Sequence, residues 1–308
     1  MRFLLSGLVL ALSACATVPE PDPAWSLVWS DEFDGEGIDG AKWGFDVDCW
    51  GGGNNERQCY TDRQKNARVE DSKLVIEAHR ETLTGPALPE DQRTAANAGD
   101  TATKPFTSAR LVSRGKAAWK YARIEVRAEL PQGQGTWPAI WMLPERNTYG
   151  AWPLSGEIDV LEAVNLGVAC TACPDGIEST ILGTLHFGNA RPDNRHKGEE
   201  MPYPPVLSGF HTYAVDWRQD RMVWTVDGKV FATRTADEWF TGARPDDPFA
   251  PFDHPFHLIL NLAIGGGLPE GRGTGGVDDT EFPKRMRIDW VRVWQCEADP
   301  ATAAACER

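Results

Sequence analysis

Tyr121-Ala-Arg-Ile-Glu-Val-Arg-Ala-Glu-Leu130 alternates without a break: odd positions are polar or aromatic and even positions apolar. A period of two is the signature of a strand with one face buried and one face wet. The same rhythm recurs along the chain. Arg221-Met-Val-Trp-Thr-Val226, then Asp227-Gly228, then Lys229-Val-Phe-Ala-Thr-Arg234 reads as a hairpin closed by a two-residue turn. Further strands are expected at 73–80, 108–114, 138–143, 156–164, 179–187, 211–218, 256–264 and 285–295. No stretch of more than twelve residues combines helical periodicity with a proper start and stop, so the expected architecture is an all-β sandwich. Strand signals run from about 25 to 295 without a linker, which favours one domain. Residues 82–106, rich in Thr, Ala, Gly and Pro, read as a long insertion, either a mobile surface loop or one wall of a cleft.

Composition narrows the function classes. Of the 308 residues 41% are hydrophobic and 25% charged, which is the balance of a packed globular protein. Thirty-one basic against 45 acidic side chains leave a net charge of −14, which opposes binding to a phosphate backbone and removes nucleic acid as the main partner. Thirteen tryptophans with 30 glycines and 22 prolines point to stacking surfaces and turns. The charge leaves a neutral or cationic partner.

The first residues carry a different message. Met1 and Arg2 precede an apolar stretch, Phe3 to Ala14, that is too short to span a bilayer as a helix and reads as an export signal. Leu12-Ser13-Ala14-Cys15 resembles the bacterial lipoprotein box. The expectation is a signal peptide over 1–14, a lipidated Cys15, and a Pro-rich tether over 15–24, with an ordinary secreted enzyme as the alternative. Ala16 in place of Asp favours the outer membrane if the lipid is present. A catalytic domain over 25–296 and a tail over 297–308 follow. Export places the other six cysteines in an oxidising compartment, where an even number suggests disulfides. Cys49/Cys59, Cys170/Cys173 and Cys296/Cys306 are the simplest of the possible pairings, and a zinc or redox role for Cys170-Thr-Ala-Cys173 is the competitor.

Gly156-Glu-Ile-Asp-Val-Leu-Glu162 is where chemistry concentrates. On a regular strand Glu157 and Asp159 share a face and Glu162 points away from it, but one extra residue at a bulge around 160–161 returns Glu162 to their side. A helix would set Glu157 and Glu162 about 140° apart. Three acids beside Ile158, Val160, Leu161, Ala163 and Val164 suggest a cleft rather than a solvated acidic strand.

From these residues outward the chain resembles glycoside hydrolase family 16, of the bulge-containing laminarinase (endo-1,3-β-glucanase) type. The ordered matches include Trp29-Ser-Asp-Glu-Phe-Asp-Gly35, Asn54-Asn-Glu-Arg-Gln-Cys-Tyr60, Gly133-Gln-Gly-Thr-Trp-Pro-Ala-Ile-Trp-Met-Leu143, Trp152-Pro-Leu-Ser-Gly-Glu157 and Asp289-Trp-Val-Arg-Val-Trp294. The resemblance implies a β-jelly roll of two curved antiparallel sheets with substrate across the concave one. It implies Glu157 as nucleophile, Glu162 as general acid/base and Asp159 as the residue that orients the nucleophile. His186, in Thr184-Leu-His-Phe187, is expected beside them, with a satisfied core histidine as the alternative. Trp137, Trp141 and Trp152 are the implied sugar platforms, while Trp119, Trp217, Trp224, Trp290 and Trp294 are left to the core or outer surface. Asn55 and Arg110 resemble residues that bond sugar hydroxyls on the non-reducing side. No cofactor is implied for catalysis. One structural calcium is implied at Glu32, the carbonyl near Ser72, and Asp289, with Ser72 standing where the family has glycine. The expected protein is a monomer acting on a β-glucan and touching the membrane only through its lipid. Competing readings are a relative acting on mixed-linkage glucan or a galactan, and a glucan-binding protein without hydrolysis.

Overall fold

In Ala122–Glu129 the even residues are buried and the odd ones half-exposed, as the alternation requires. The computed structural model describes residues 24–306, and these strands assemble into two sheets packed face to face. In the larger sheet the order is Lys229–Thr235, Arg221–Val226, His211–Trp217, Ala122–Glu129, Lys284–Cys296, Leu74–Pro86, Thr101–Ser108 and Gln58–Tyr60. Trp25–Asp31 pairs alongside Lys284–Cys296, and Ala67–Val69 alongside Leu74–Pro86. The smaller sheet runs Asn194–Pro202, Thr180–Gly188, Glu157–Ala163, Thr136–Pro144, Phe256–Ile264, Arg110–Val112 and Gly44–Phe45. All these pairings are antiparallel except that of Gln58–Tyr60 with Thr101–Ser108. One hydrophobic core, including Ile124, Val126, Leu161, Trp217, Trp224 and Phe256, fills the space between the sheets, so the fold is the expected β-jelly-roll sandwich. In the 221–235 hairpin both turn residues have positive φ, Asp227 at 49° and Gly228 at 75°, which matches the right-handed twist of the strands they join.

Three elements differ from their sequence reading. The strand expected at 108–114 is two strands in different sheets, Thr101–Ser108 and Arg110–Val112, and the chain crosses between layers at Ala109. The 82–106 insertion is a folded hairpin: its arms extend Leu74–Pro86 and Thr101–Ser108, and it packs against residues 46–60. Cys49 N–H donates to the Pro86 carbonyl (2.7 Å), Lys104 Nζ to the Glu56 carbonyl (2.8 Å), and the Cys49–Cys59 disulfide closes the segment between. Asn194–Pro202 was not expected as a strand. Its side chains are mostly exposed, and its charges suit an edge that must not pair with another molecule.

The other disulfides join Cys170 to Cys173 and Cys296 to Cys306. The last of these folds the C-terminal segment back onto the domain, where Ala303 and Cys306 are buried and Gln219 N–H donates to the Thr302 carbonyl (2.9 Å). Trp119, Trp217 and Trp224 are core residues, while Trp290 and Trp294 are partly exposed on the larger sheet. The signal segment, Cys15 and the tether up to residue 23 lie outside the described residues.

Candidate active site

The acidic strand carries the bulge that its sequence called for. Against the Thr180–Gly188 strand, Asp159 is opposite Thr184 but Glu162 is opposite Leu182; against Thr136–Pro144, Asp159 is opposite Trp141 and Leu161 opposite Ile140. Each register loses one residue between Asp159 and Glu162, and Val160 and Leu161 both belong to the core. Glu157, Asp159 and Glu162 therefore share the face turned away from the core. His186 lies opposite Glu157 on the neighbouring strand.

Hydrogen bonds give each carboxylate a different setting. Trp152 Nε1 donates to Glu157 Oε2 (2.7 Å) and Trp137 Nε1 to Glu162 Oε1 (2.8 Å). His186 Nε2 stands 3.2 Å from Asp159 Oδ2 and 3.6 Å from Glu157 Oε1. Burial, reinforced by Glu157 and Glu162, raises the Asp159 carboxyl well above the usual range, against the opposing pull of His186. Burial also raises Glu162, with Glu157 acting in the same direction and His186 and the Trp137 N–H opposing. For His186 burial disfavours the cation, but Glu157, Asp159 and Glu162 outweigh it and push the imidazole up to about 10. Burial thus favours the neutral carboxyl at Asp159 and Glu162 while the acids around it favour the imidazolium at His186, so neighbouring groups differ in proton affinity as an acid and a nucleophile at one pH must.

Beside this cluster lies a second one. Trp137 and Trp141 sit on the same face of Thr136–Pro144, both partly exposed. Arg110, 8% exposed, places its guanidinium 4.5 Å from the Tyr60 ring centre and 5.3 Å from that of Trp141. Its Nε is buried without a hydrogen-bond partner. Trp141 Nε1 donates to Asn261 Oδ1 (2.6 Å), Asn261 Nδ2 donates to Tyr60 Oη (3.1 Å), and Tyr60 and Gln58 donate to the buried Glu56 carboxylate (3.3 and 2.7 Å). Sequence reasoning missed Asn261, Tyr60, Gln58 and Glu56 as parts of the site. Glu56, Gln58 and Tyr60 stood inside a matched motif, but only the register between distant strands joins them to Asn261. Asn55 is exposed in the adjoining loop with φ of 61°. Trp152 precedes the acidic strand, and Arg191 covers its ring at 4.6 Å, so that indole bonds the Glu157 carboxylate with one face already taken by a cation.

The residues assigned to calcium sit on the other sheet and have protein partners. Arg292 bonds both oxygens of Glu32 (3.0 and 2.9 Å), and Arg127 and Lys73 pair with Asp289. Ser72 takes a positive φ of 53°. A hard dication needs free oxygen ligands, and three basic side chains already compensate these two acids, so this donor set does not fit calcium.

A jelly roll with paired carboxylates and indoles on one open sheet face defines a carbohydrate-cleaving enzyme. The sequence model of glycosyl hydrolases family 16 matches residues 53–292. A beta-glucanase of Rhodothermus marinus is 40% identical over 95% of this chain and 93% of its own, and a glucan endo-1,3-beta-glucosidase of Cryptopygus antarcticus is 40% identical over 88% and 92%. The X-ray structure of the laminarinase from Rhodothermus marinus superposes with a TM-score of 0.69, covering 88% of this chain and 97% of that one at 40% identity. The chain belongs to glycosyl hydrolases family 16.

Proposed function

We infer that this glycoside hydrolase cleaves internal β-1,3-glucosidic bonds of laminarin-type glucans with retention of configuration. The observation that carries the mechanism is the bulge, which sets Glu162, with its raised carboxyl, on the same face as Glu157. The names of the two glucanase relatives support the substrate class.

In the first step Glu157 attacks the anomeric carbon as the bond to the leaving oxygen breaks, and Glu162 gives that oxygen its proton. A glycosyl ester on Glu157 results. Glu162, now ionised, takes a proton from water as the water attacks the same carbon, releasing the sugar and restoring both carboxyls. His186 stands against both Glu157 and Asp159, where its ring balances the charge of the carboxyl cluster as Glu157 attacks and Glu162 ionises. Trp141 and Arg110 hold sugars on the non-reducing side, and the Trp137 and Trp152 N–H groups fix the two catalytic carboxyls.

Incubation with laminarin, lichenan, agarose and carrageenan, with product sizing and the initial anomer read by NMR, tests this reading. Short laminari-oligosaccharides released first as the β-anomer are expected. Preferred cleavage of lichenan or of a galactan would move the substrate class, and glucan binding without products would make the chain a lectin. Membrane attachment through Cys15 belongs to the same proposal and rests on Leu12-Ser13-Ala14-Cys15. The mass of the mature N-terminus decides it: a diacylglyceryl-cysteine is expected, and an unmodified terminus refutes it.

A further inference from the structure

A β-bulge has no intrinsic preference for one residue of a strand over the next, so something must keep this one between Asp159 and Glu162. We propose that Trp224, a core residue of the opposite sheet, is the positioning residue for the catalytic bulge, and that Gly183 exists to let it in. Trp224 is 1% exposed and belongs to Arg221–Val226, yet its Nε1 donates to the main-chain carbonyl of Asp159 at 2.8 Å. That carbonyl is the last one before Val160 and Leu161, where the register breaks. The strand facing the bulge offers Gly183 between Thr184 and Leu182, the two residues that flank the shift. A Cβ at Gly183 would lie 2.6 Å from Trp224 Cδ1 and 2.9 Å from its Nε1. The glycine is not there for backbone freedom, since its φ is outside the left-handed range. It is there because the indole occupies the space where a side chain would stand.

The consequence is directional. If the extra residue is lost, or the bulge slides past Glu162, alternation brings Leu161 to the open face and turns Glu162 into the core. A buried donor aimed at the Asp159 carbonyl penalises that slide, because the indole N–H would lose its partner in the core. Trp224 touches no substrate. It acts through the backbone on where Glu162 stands, and the inference rests on Glu162 being the general acid.

The test uses the dependence on leaving group, which a general loss of stability does not change. Glu162→Gln, Trp224→Phe and Gly183→Ala are compared on laminarin and on an activated aryl β-laminaribioside, below each variant's melting temperature. Trp224→Phe keeps an aromatic ring but has no N–H; Gly183→Ala keeps the indole but displaces it. Both are expected to lower kcat/KM on laminarin by about ten- to a hundredfold, the scale of a small misplacement of a catalytic group, and kcat/KM on the aryl substrate, whose departure needs little protonation, by less than about threefold. KM for laminarin is expected to stay within about twofold, since the sugar contacts are untouched. Equal losses on the two substrates by Trp224→Phe or Gly183→Ala, while Glu162→Gln still discriminates between them, overturn the inference. If Glu162→Gln itself fails to discriminate, the assignment of the acid falls instead. If one variant does not fold, the other decides alone. If neither folds, the proposal is overturned in favour of a purely structural role.

Discussion

His186 is the residue on which the charge balance of the site turns. Its imidazolium lowers the carboxyl of Glu162, which burial otherwise raises. Glu162 acts in its protonated form, so kcat/KM falls as pH rises through its pKa. Removing the cation takes away a lowering influence, and His186→Gln should therefore move the alkaline limb of the kcat/KM profile to higher pH. A limb that stays in place or moves to lower pH would show that His186 does not face the acid as a cation. The two glutamates separate by chemistry. Glu162→Gln should cost about 10²–10⁴-fold on laminarin, the range for losing a general acid. Glu157→Ala should abolish turnover while keeping glucan affinity, and azide with an activated donor should then yield a product of inverted configuration, seen by NMR. A retained anomer would mean that Glu157 is not the nucleophile. The Trp141 ring is partly exposed and held at its edge by Asn261, so Trp141→Ala should raise KM for long laminari-oligosaccharides with little change in melting temperature. A core tryptophan would instead show the loss of about 3–5 kcal/mol in the melting curve.

Among the elements, the pinned hairpin invites a measurement. The Cys49–Cys59 bridge closes a ten-residue separation next to the arms that reach Pro86 and Thr101. Replacing both cysteines with serine should cost about 2–3 kcal/mol by the chain-entropy account. For a domain of this size that is a fall in melting temperature of roughly 5–10 °C, read by calorimetry. An unchanged transition would mean that Lys104 and the Pro86 carbonyl hold the segment without the bridge. The elements also show what a sequence can and cannot reveal. Strands with one buried face, such as Ala122–Glu129, declare themselves by alternation. The bulge could be argued because three acids needed a common face. Asn194–Pro202 gave no such signal: it is wet along most of its length, and its pairing comes wholly from the ladder to Thr180–Gly188. Asn261 and Tyr60 are 201 residues apart, and no local pattern connects them. The covering of Trp152 by Arg191 was equally illegible, since it depends on how the 189–193 turn folds over the end of the sheet.

For the molecule as a whole, the net charge of −14 hides an ordered arrangement on the larger sheet. Glu77 lies between Arg68 and Arg285, Glu129 pairs with Arg287, Asp289 with Arg127 and Lys73, and Glu32 with Arg292. Individual exposed pairs contribute little to stability, but those on Glu32 and Asp289 occupy the two carboxylates that a dication there would need. Adding a chelator to calcium-containing buffer should leave the melting temperature where it was, and a fall of several degrees would restore the calcium site. The ends of the folded chain meet: Trp25 is paired with Cys296, and the Glu297 N–H donates to the Ala24 carbonyl. Seen this way the polypeptide is nearly a closed ring, and the place where it is cut is incidental to its sheets. A short linker across that seam, with new ends opened in the exposed 94–99 turn, gives a circular permutant in which every strand keeps its neighbours. Ala24 and Cys306 also meet, the cysteine sulfur lying 2.8 Å from the Ala24 carbonyl oxygen, so the folded domain is entered and left at one corner.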